Sequence, residues 1–136
     1  HFVKPLTEPF KCSFVELVAT EAQLPSWFIS HWWGTPFCQT LRMLELHCKA
    51  RGLTESAFYW MCTFANDQHN LQELFLGLKN TPFVKVLESE ACKGTVTLLD
   101  ENVTTLRRTW CVLEGYMSMS REAFCYDFAI CVPDNV

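Results

Sequence analysis

At 136 residues the chain is long enough to bury one core and too short for two good ones. With 49% apolar and 14% aromatic residues it is not a disordered chain, and a formal charge of −4 argues against the clustered basic surface that nucleic acids require. No apolar run approaches the roughly 20 residues of a membrane helix, and the long stretch over 124–132 is interrupted by Asp127.

Residues 1–9 contain Pro5 and Pro9 and read as an extended arm. Ser13-Phe14-Val15-Glu16 fits a capping box, which predicts a short helix running to about Gln23, ended by Pro25. The arm and helix, 1–24, precede an α/β domain over 25–136. Its first strand is Trp27-Phe28-Ile29-Ser30-His31, closed by Gly34. Thr35-Pro36 is a helix start, with Thr as cap and Pro at the first helical position. Phe37, Leu41, Leu44 and Cys48 follow as one buried stripe, and Gly52 stops the helix. The aromatic-rich segment 57–64 reads as a second strand, followed by the polar loop Ala65-Asn66-Asp67-Gln68-His69 and a short helix over 71–78.

Thr81-Pro82 repeats the helix-start signal, and Lys93-Gly94 turns into a strand over 95–99. The following helix carries Leu106, Trp110, Leu113 and Met117 as its stripe. The last strand covers 124–132 and ends at Pro133. Strands alternating with helices predict a mostly parallel sheet of four or five strands covered on both faces.

Eight cysteines are scattered through apolar segments, with no CxxC and no finger-like Cys/His spacing. That pattern reads as free thiols acting as small hydrophobes in an intracellular reducing compartment, the cytoplasm or an organelle interior, with a disulfide or an unrecognised metal site as the alternative. The chain begins at His1 rather than Met, as a processed chain, an excised domain or part of something longer would.

In an open parallel sheet, ligands bind beyond the carboxyl ends of the strands. Three polar loops fall there: Ser30-His31-Trp32-Trp33-Gly34, Asn66-Asp67-Gln68-His69 and Asp100-Glu101-Asn102. Trp110 and Glu114 stand one helical turn apart on the helix after the third loop. A carboxylate desolvated beside that Trp has a raised pKa and is a candidate site. Trp32 and Trp33 serve either as packing and interface anchors or as a platform for a ring. Arg107-Arg108 suits a pyrophosphate, a solvated helix end or a partner contact. His31 and His69 lack an accompanying nucleophile motif. With Asp67 they have no spacing that defines a metal geometry, so no metal site is assigned.

Taken together, Phe28-Ile29-Ser30-His31, Gly94 through Leu99, and Arg108-Thr109-Trp110-Cys111-Val112-Leu113-Glu114 resemble a Toll/interleukin-1 receptor (TIR) domain over roughly 25–132. They match its first strand, its fourth strand and the helix bearing Trp-x-x-x-Glu. The constellation is also similar to a divergent group of protist and algal proteins. The resemblance implies a flavodoxin-like three-layer α/β sandwich. It implies one of two activities: non-catalytic assembly with a protein partner or itself through the 64–70 loop, to which Trp32 and Trp33 of the 30–34 loop add contact anchors, or cleavage of the nicotinamide–ribose bond of NAD. Assembly, as a scaffold or small subunit of a larger complex, needs no cofactor.

In the second activity the Glu matching Glu114 stabilises the ribosyl cation, as carboxylates do in glycosidases. Ser30, His31, Trp32, Trp33, Arg107, Arg108 and Trp110 would then contact the dinucleotide. The chain departs from the family in three places. The tandem Trp32-Trp33 stands where many members have a polar or basic residue. A third strand around 75–81 is weak or missing, and the 64–70 loop lacks the usual acidic, glycine-rich look. A narrowed crevice would spare the fold and lose the enzyme.

Overall fold

A computed structural model describes residues 2–70, 72 and 77–131. Four parallel strands, β1 (Trp27–Ser30), β2 (Tyr59–Trp60), β3 (Gly94–Leu99) and β4 (Cys125–Ile130), lie in the order β2-β1-β3-β4. β1 pairs with β3 from Trp27↔Gly94 to Ser30↔Thr97, and β3 with β4 from Gly94↔Cys125 to Leu99↔Ile130. The helices are α1 (Val3–Thr7), α2 (Phe14–Val18), α3 (Phe37–Arg51), α4 (Cys62–Ala65), α5 (Pro82–Glu88) and α6 (Thr109–Met119). This is the expected flavodoxin-like sandwich, with a sheet of four strands.

Strand alternation sorts the core into two layers. Phe28 points to one face, where it stacks on Trp60 at 5.0 Å and meets Phe83, Val84 and Leu87 of α5, with Leu113 and Met117 of α6 packed alongside. Ile29, Val96, Leu98 and Ala129 point to the other, against Met43 of α3.

Several expected elements take a different form. Residues 3–7 are helical rather than an extended arm. Pro5 falls in the first turn, where a helix has no use for the missing N–H. The turn is fastened by the buried Thr7, whose hydroxyl donates to the Val3 carbonyl at 3.0 Å. The capping box holds, with the Glu16 N–H donating to Ser13 Oγ at 3.2 Å and the Ser13 N–H to Glu16 Oε2 at 2.8 Å. The helix it starts ends at Val18, not Gln23.

α3 begins one residue later than expected, with Pro36 at the cap. Its buried face is Thr40, Met43 and His47, while Phe37 and Leu41 are exposed. A polar network turns the helix this way. His47 Nδ1 shares a 2.6 Å hydrogen bond with the Tyr59 hydroxyl, and Nε2 meets Asp127 Oδ2 at 3.0 Å. Arg51 Nε donates to the same Asp127 oxygen at 2.7 Å. Phe37 instead joins an aromatic cluster with Phe2 and Phe64.

The second strand shrinks to two residues, because Cys62–Ala65 forms a helical turn. Most of the expected 71–78 helix lies outside the described residues; Leu78–Asn80 is a 3₁₀ turn, not a strand. β1 pairs β3 directly, so no further strand stands between them. On α6 the sheet-facing residues are Cys111, Gly115 and Ser118, not the full expected stripe; Leu106, just before it, and Trp110 are exposed.

Two glycines mark hard constraints. Gly52 caps α3 at φ +60°, where a side chain costs about 1 kcal/mol by backbone strain alone. A Cβ at Gly94 would sit 2.5 Å from the Trp27 ring and 2.7 Å from the Cys125 carbonyl oxygen, which belongs to the sheet backbone and cannot rotate away. Gly94→Ala is therefore expected to lower stability in urea by about 2 kcal/mol or more, against about 1 kcal/mol for Gly52→Ala. Equal midpoints for the two variants would contradict this packing of β3 between β1 and β4.

Candidate functional site

β1 is buried along its whole length, so the polar side chain at its carboxyl end, Ser30, is fully enclosed. α6 lies over this end and presents Glu114, whose Oε2 accepts from Ser30 Oγ at 2.6 Å. Burial pushes the Glu114 carboxyl up to about 7; the Ser30 hydrogen bond, the positive charge of Arg108 and the Cys111 thiol pull in the opposite direction. Near neutral pH this side chain is thus poised between acid and anion.

Three neighbours stay neutral around it. Burial, together with the Arg108 charge, lowers the His31 imidazole to about 4, and its Nε2 lies 3.3 Å from the Thr63 hydroxyl. Burial pushes the Cys62 thiol up to about 11, with the Glu114 charge adding to the rise. Trp33 Nε1 donates to Cys62 Sγ at 3.1 Å. Burial also raises the Cys111 thiol, which donates to the His31 carbonyl oxygen at 3.7 Å. A thiol held protonated is a poor nucleophile. The cluster therefore offers one titrating carboxyl and no activated nucleophile.

The structure brings Ser30, His31, Trp33, Arg108 and Glu114 into this cluster. It sets the other sequence candidates apart. Trp110 lies on the outside of α6, edge-on to Phe83 at 5.5 Å, although it is one turn from Glu114. Arg107 is exposed at the end of a 3₁₀ turn, Thr104–Arg107, and its charge helps hold Asp100 low, behind the Thr104 hydrogen bonds. Trp32 folds back over Gly34 so closely that any Cβ there would overlap the ring.

Trp32 also walls a cleft of 230 Å³ at the carboxyl ends of the strands, with Gln39, Asp100, Glu101, Asn102 and Cys131 among its lining residues. The 30–34 and 100–102 loops do meet at the switch point between β1 and β3. The 66–69 loop instead packs on the amino-terminal helices, where His69 Nε2 lies 2.8 Å from the Thr7 hydroxyl and Nδ1 lies 3.0 Å from Glu8. The cleft has no Lys or Arg on its wall, and its volume is below the roughly 300–1,000 Å³ of ordinary ligand pockets. Two further cavities, of 480 and 280 Å³, border β2 and the α3–β4 contact. Glu114 lines none of these three.

Among the described residues no group of three or more His, Cys, Asp or Glu side chains is arranged to hold a metal ion. The cysteines are unpaired; Cys92 and Cys111 are buried, whereas Cys38 is exposed. Among the described residues no helix is long and apolar enough to cross a membrane. Sequence reasoning missed His47, Cys62 and Thr63 as polar partners. Nothing local in the sequence marks His47, because its acidic partner stands 80 residues away. Comparison with protein-family models, curated proteins and solved structures finds no match.

The raised Glu114 pKa has a stability consequence. Between an ordinary carboxyl pKa near 4.5 and its folded value near 7, the folded chain holds a proton that the unfolded chain has lost. Its favourable contribution is complete below the lower value and lost as pH rises through the upper one. Glu114→Gln keeps a neutral side chain at this position at every pH. Its denaturation midpoint is expected to exceed the wild type at pH 8, with the advantage shrinking toward pH 5. A variant less stable than the wild type at pH 8 would contradict the burial of this carboxyl.

Proposed function

We propose that the chain is a TIR-like assembly domain, a non-catalytic scaffold or small subunit. The observation that carries this reading is the quantity of large apolar side chain left on the outside of the fold: Trp33, in the turn after β1, is 56% exposed, and Trp110 and Tyr116, on α6, are 53% and 67% exposed. Large exposed aromatics of this kind are what interface anchors look like. Of the two loops expected to make contacts, 30–34 presents Trp33 on a hydrogen-bonded footing. The 64–70 loop is more occupied: Gln68 reaches the Cys62, Thr63 and Asn66 carbonyls.

A second reading, hydrolysis of NAD with Glu114 stabilising the ribosyl cation, draws on the poised carboxyl at the carboxyl end of β1. It needs the dinucleotide to reach Glu114 past Trp33 and to displace its bond to Ser30.

Two measurements on the purified protein separate the readings. Light scattering from low to high concentration is expected to show species heavier than the 15.8 kDa monomer. Incubation with NAD at the highest of those concentrations is expected to release no nicotinamide. Nicotinamide release that disappears in a folded Glu114→Ala variant would replace the assembly reading with the enzymatic one.

A further inference from the structure

β4 is an edge strand: β3 lies on one side of it, and among the described residues no strand pairs with the other. Natural edge strands are usually blunted by Lys, Pro, a bulge or an inward charge. Cys125–Ile130 carries none of the first three, pairing in unbroken register with β3. Its one charge, Asp127, is turned toward α3 and held by His47 and Arg51.

The face of β4 on the α6 side is identified by Tyr126. Its hydroxyl accepts from Thr97 at 3.1 Å and lies 2.6 Å from where a Cβ on Gly115 would be. Alternation places Phe128 and Ile130 on that same face. On α6, Cys111, Gly115 and Ser118 meet the sheet, and Trp110 meets α5. At 100° per residue, Val112, Tyr116 and Met119 fall on the opposite flank from Trp110, above the face of β4. All five residues, Val112, Tyr116, Met119, Phe128 and Ile130, are at least half exposed.

The charge pattern fits a second copy of this chain as the occupant. α6 and β4 together contain two ionisable acids, Glu114 and Asp127, and no Lys, Arg or His. Both acids are engaged inward, by Ser30 in one case and by His47 and Arg51 in the other. Apart from the part-exposed Asp127–Arg51 ion pair on the α3 side, the outward side chains of these elements are therefore uncharged, on a chain of net charge −4. A surface that meets its own copy doubles every charge near the symmetry axis, so an uncharged surface suits a twofold contact.

The register is self-compatible as well. Antiparallel pairing centred on Phe128 sets Tyr126 opposite Ile130 and Asp127 opposite Ala129, never Asp127 opposite itself. The twofold axis then runs perpendicular to the sheet and leaves both copies of α6 on the same side, flanking the joined strands.

From this juxtaposition we infer that β4 pairs antiparallel with β4 of a second copy of this chain, joining two four-stranded sheets, with the Val112–Tyr116–Met119 flank of each α6 covering the seam. The inference deepens the assembly reading and rests on it. Sedimentation equilibrium tests it on the wild type, on Phe128→Lys/Ile130→Lys, on Tyr116→Glu/Met119→Glu and on Trp33→Ala, each checked for native circular dichroism. The wild type is expected to dimerise, and each charged pair of substitutions to weaken dimerisation at least tenfold and by more than Trp33→Ala does. Hydrogen exchange on the wild type is expected to show β4 amides gaining protection as concentration rises. If the wild type self-associates but β4 protection is concentration-independent and Trp33→Ala alone dissociates it, the β4 pairing is overturned and assembly stands through the 30–34 loop. A wild type that is monomeric at every concentration overturns self-assembly and the β4 pairing together.

Discussion

The close seating of α6 on the sheet is the contact from which the other features follow. The interface is small and hydroxyl-rich where a core is usually branched and apolar. The sheet offers Ser30, Thr95 and Thr97, and the helix offers Cys111, Gly115 and Ser118. Thr95 and Ser118 share a hydrogen bond at 2.7 Å, and Ser118 Oγ also lies 2.7 Å from the Glu114 carbonyl, as donor to it. Among the described residues no buried side-chain nitrogen or oxygen is left without a partner, so the polar interface carries no desolvation penalty from an orphaned group. Its small side chains let the helix backbone come down close to β3, and Gly115 to Tyr126.

That seating has two consequences on opposite sides of the same helix. On the inner side it carries Glu114 into contact with Ser30 and largely away from water, which raises its pKa. On the outer side it leaves the bulky members of the helix, Trp110, Val112, Tyr116 and Met119, without a place in the core. The poised carboxyl and the uncharged apolar surface are one arrangement. A helix that sank Trp110 and Tyr116 into the core would have exposed Glu114 and lost both. The network of His47, Tyr59, Arg51 and Asp127 plays the matching part on the other face, turning α3 and neutralising the only charge on β4.

The layered fold was legible because strands and helices alternate and because Pro36, Gly52, Pro82 and Gly94 sit close to element boundaries. The helix faces were less legible. Apolar spacing predicted Phe37 and Leu41 as buried, but the buried His47 set the rotation of α3 through partners distant in sequence. Spacing likewise predicted Leu106 and Trp110 as core, because a hydroxyl-lined sheet face cannot be inferred from the helix alone. The second strand was overread: the aromatic run 57–64 looks extended throughout, yet only Tyr59 and Trp60 find a ladder. At the candidate site, Glu114 and Ser30 were both visible as candidates, but their mutual contact joins residues 84 positions apart and belongs to tertiary structure. The thiols of Cys62 and Cys111, read as small hydrophobes, turn out to supply weak hydrogen-bonding partners around the carboxyl.

The seating of α6 is tested most directly by following the Glu114 side-chain carboxyl carbon by NMR through a pH titration of the intact protein. A midpoint near 7 is the expected result, shifting toward an ordinary carboxyl value when the helix is unseated by denaturant. A midpoint near 4.5 in the folded protein would contradict the desolvation of Glu114 between α6 and β1.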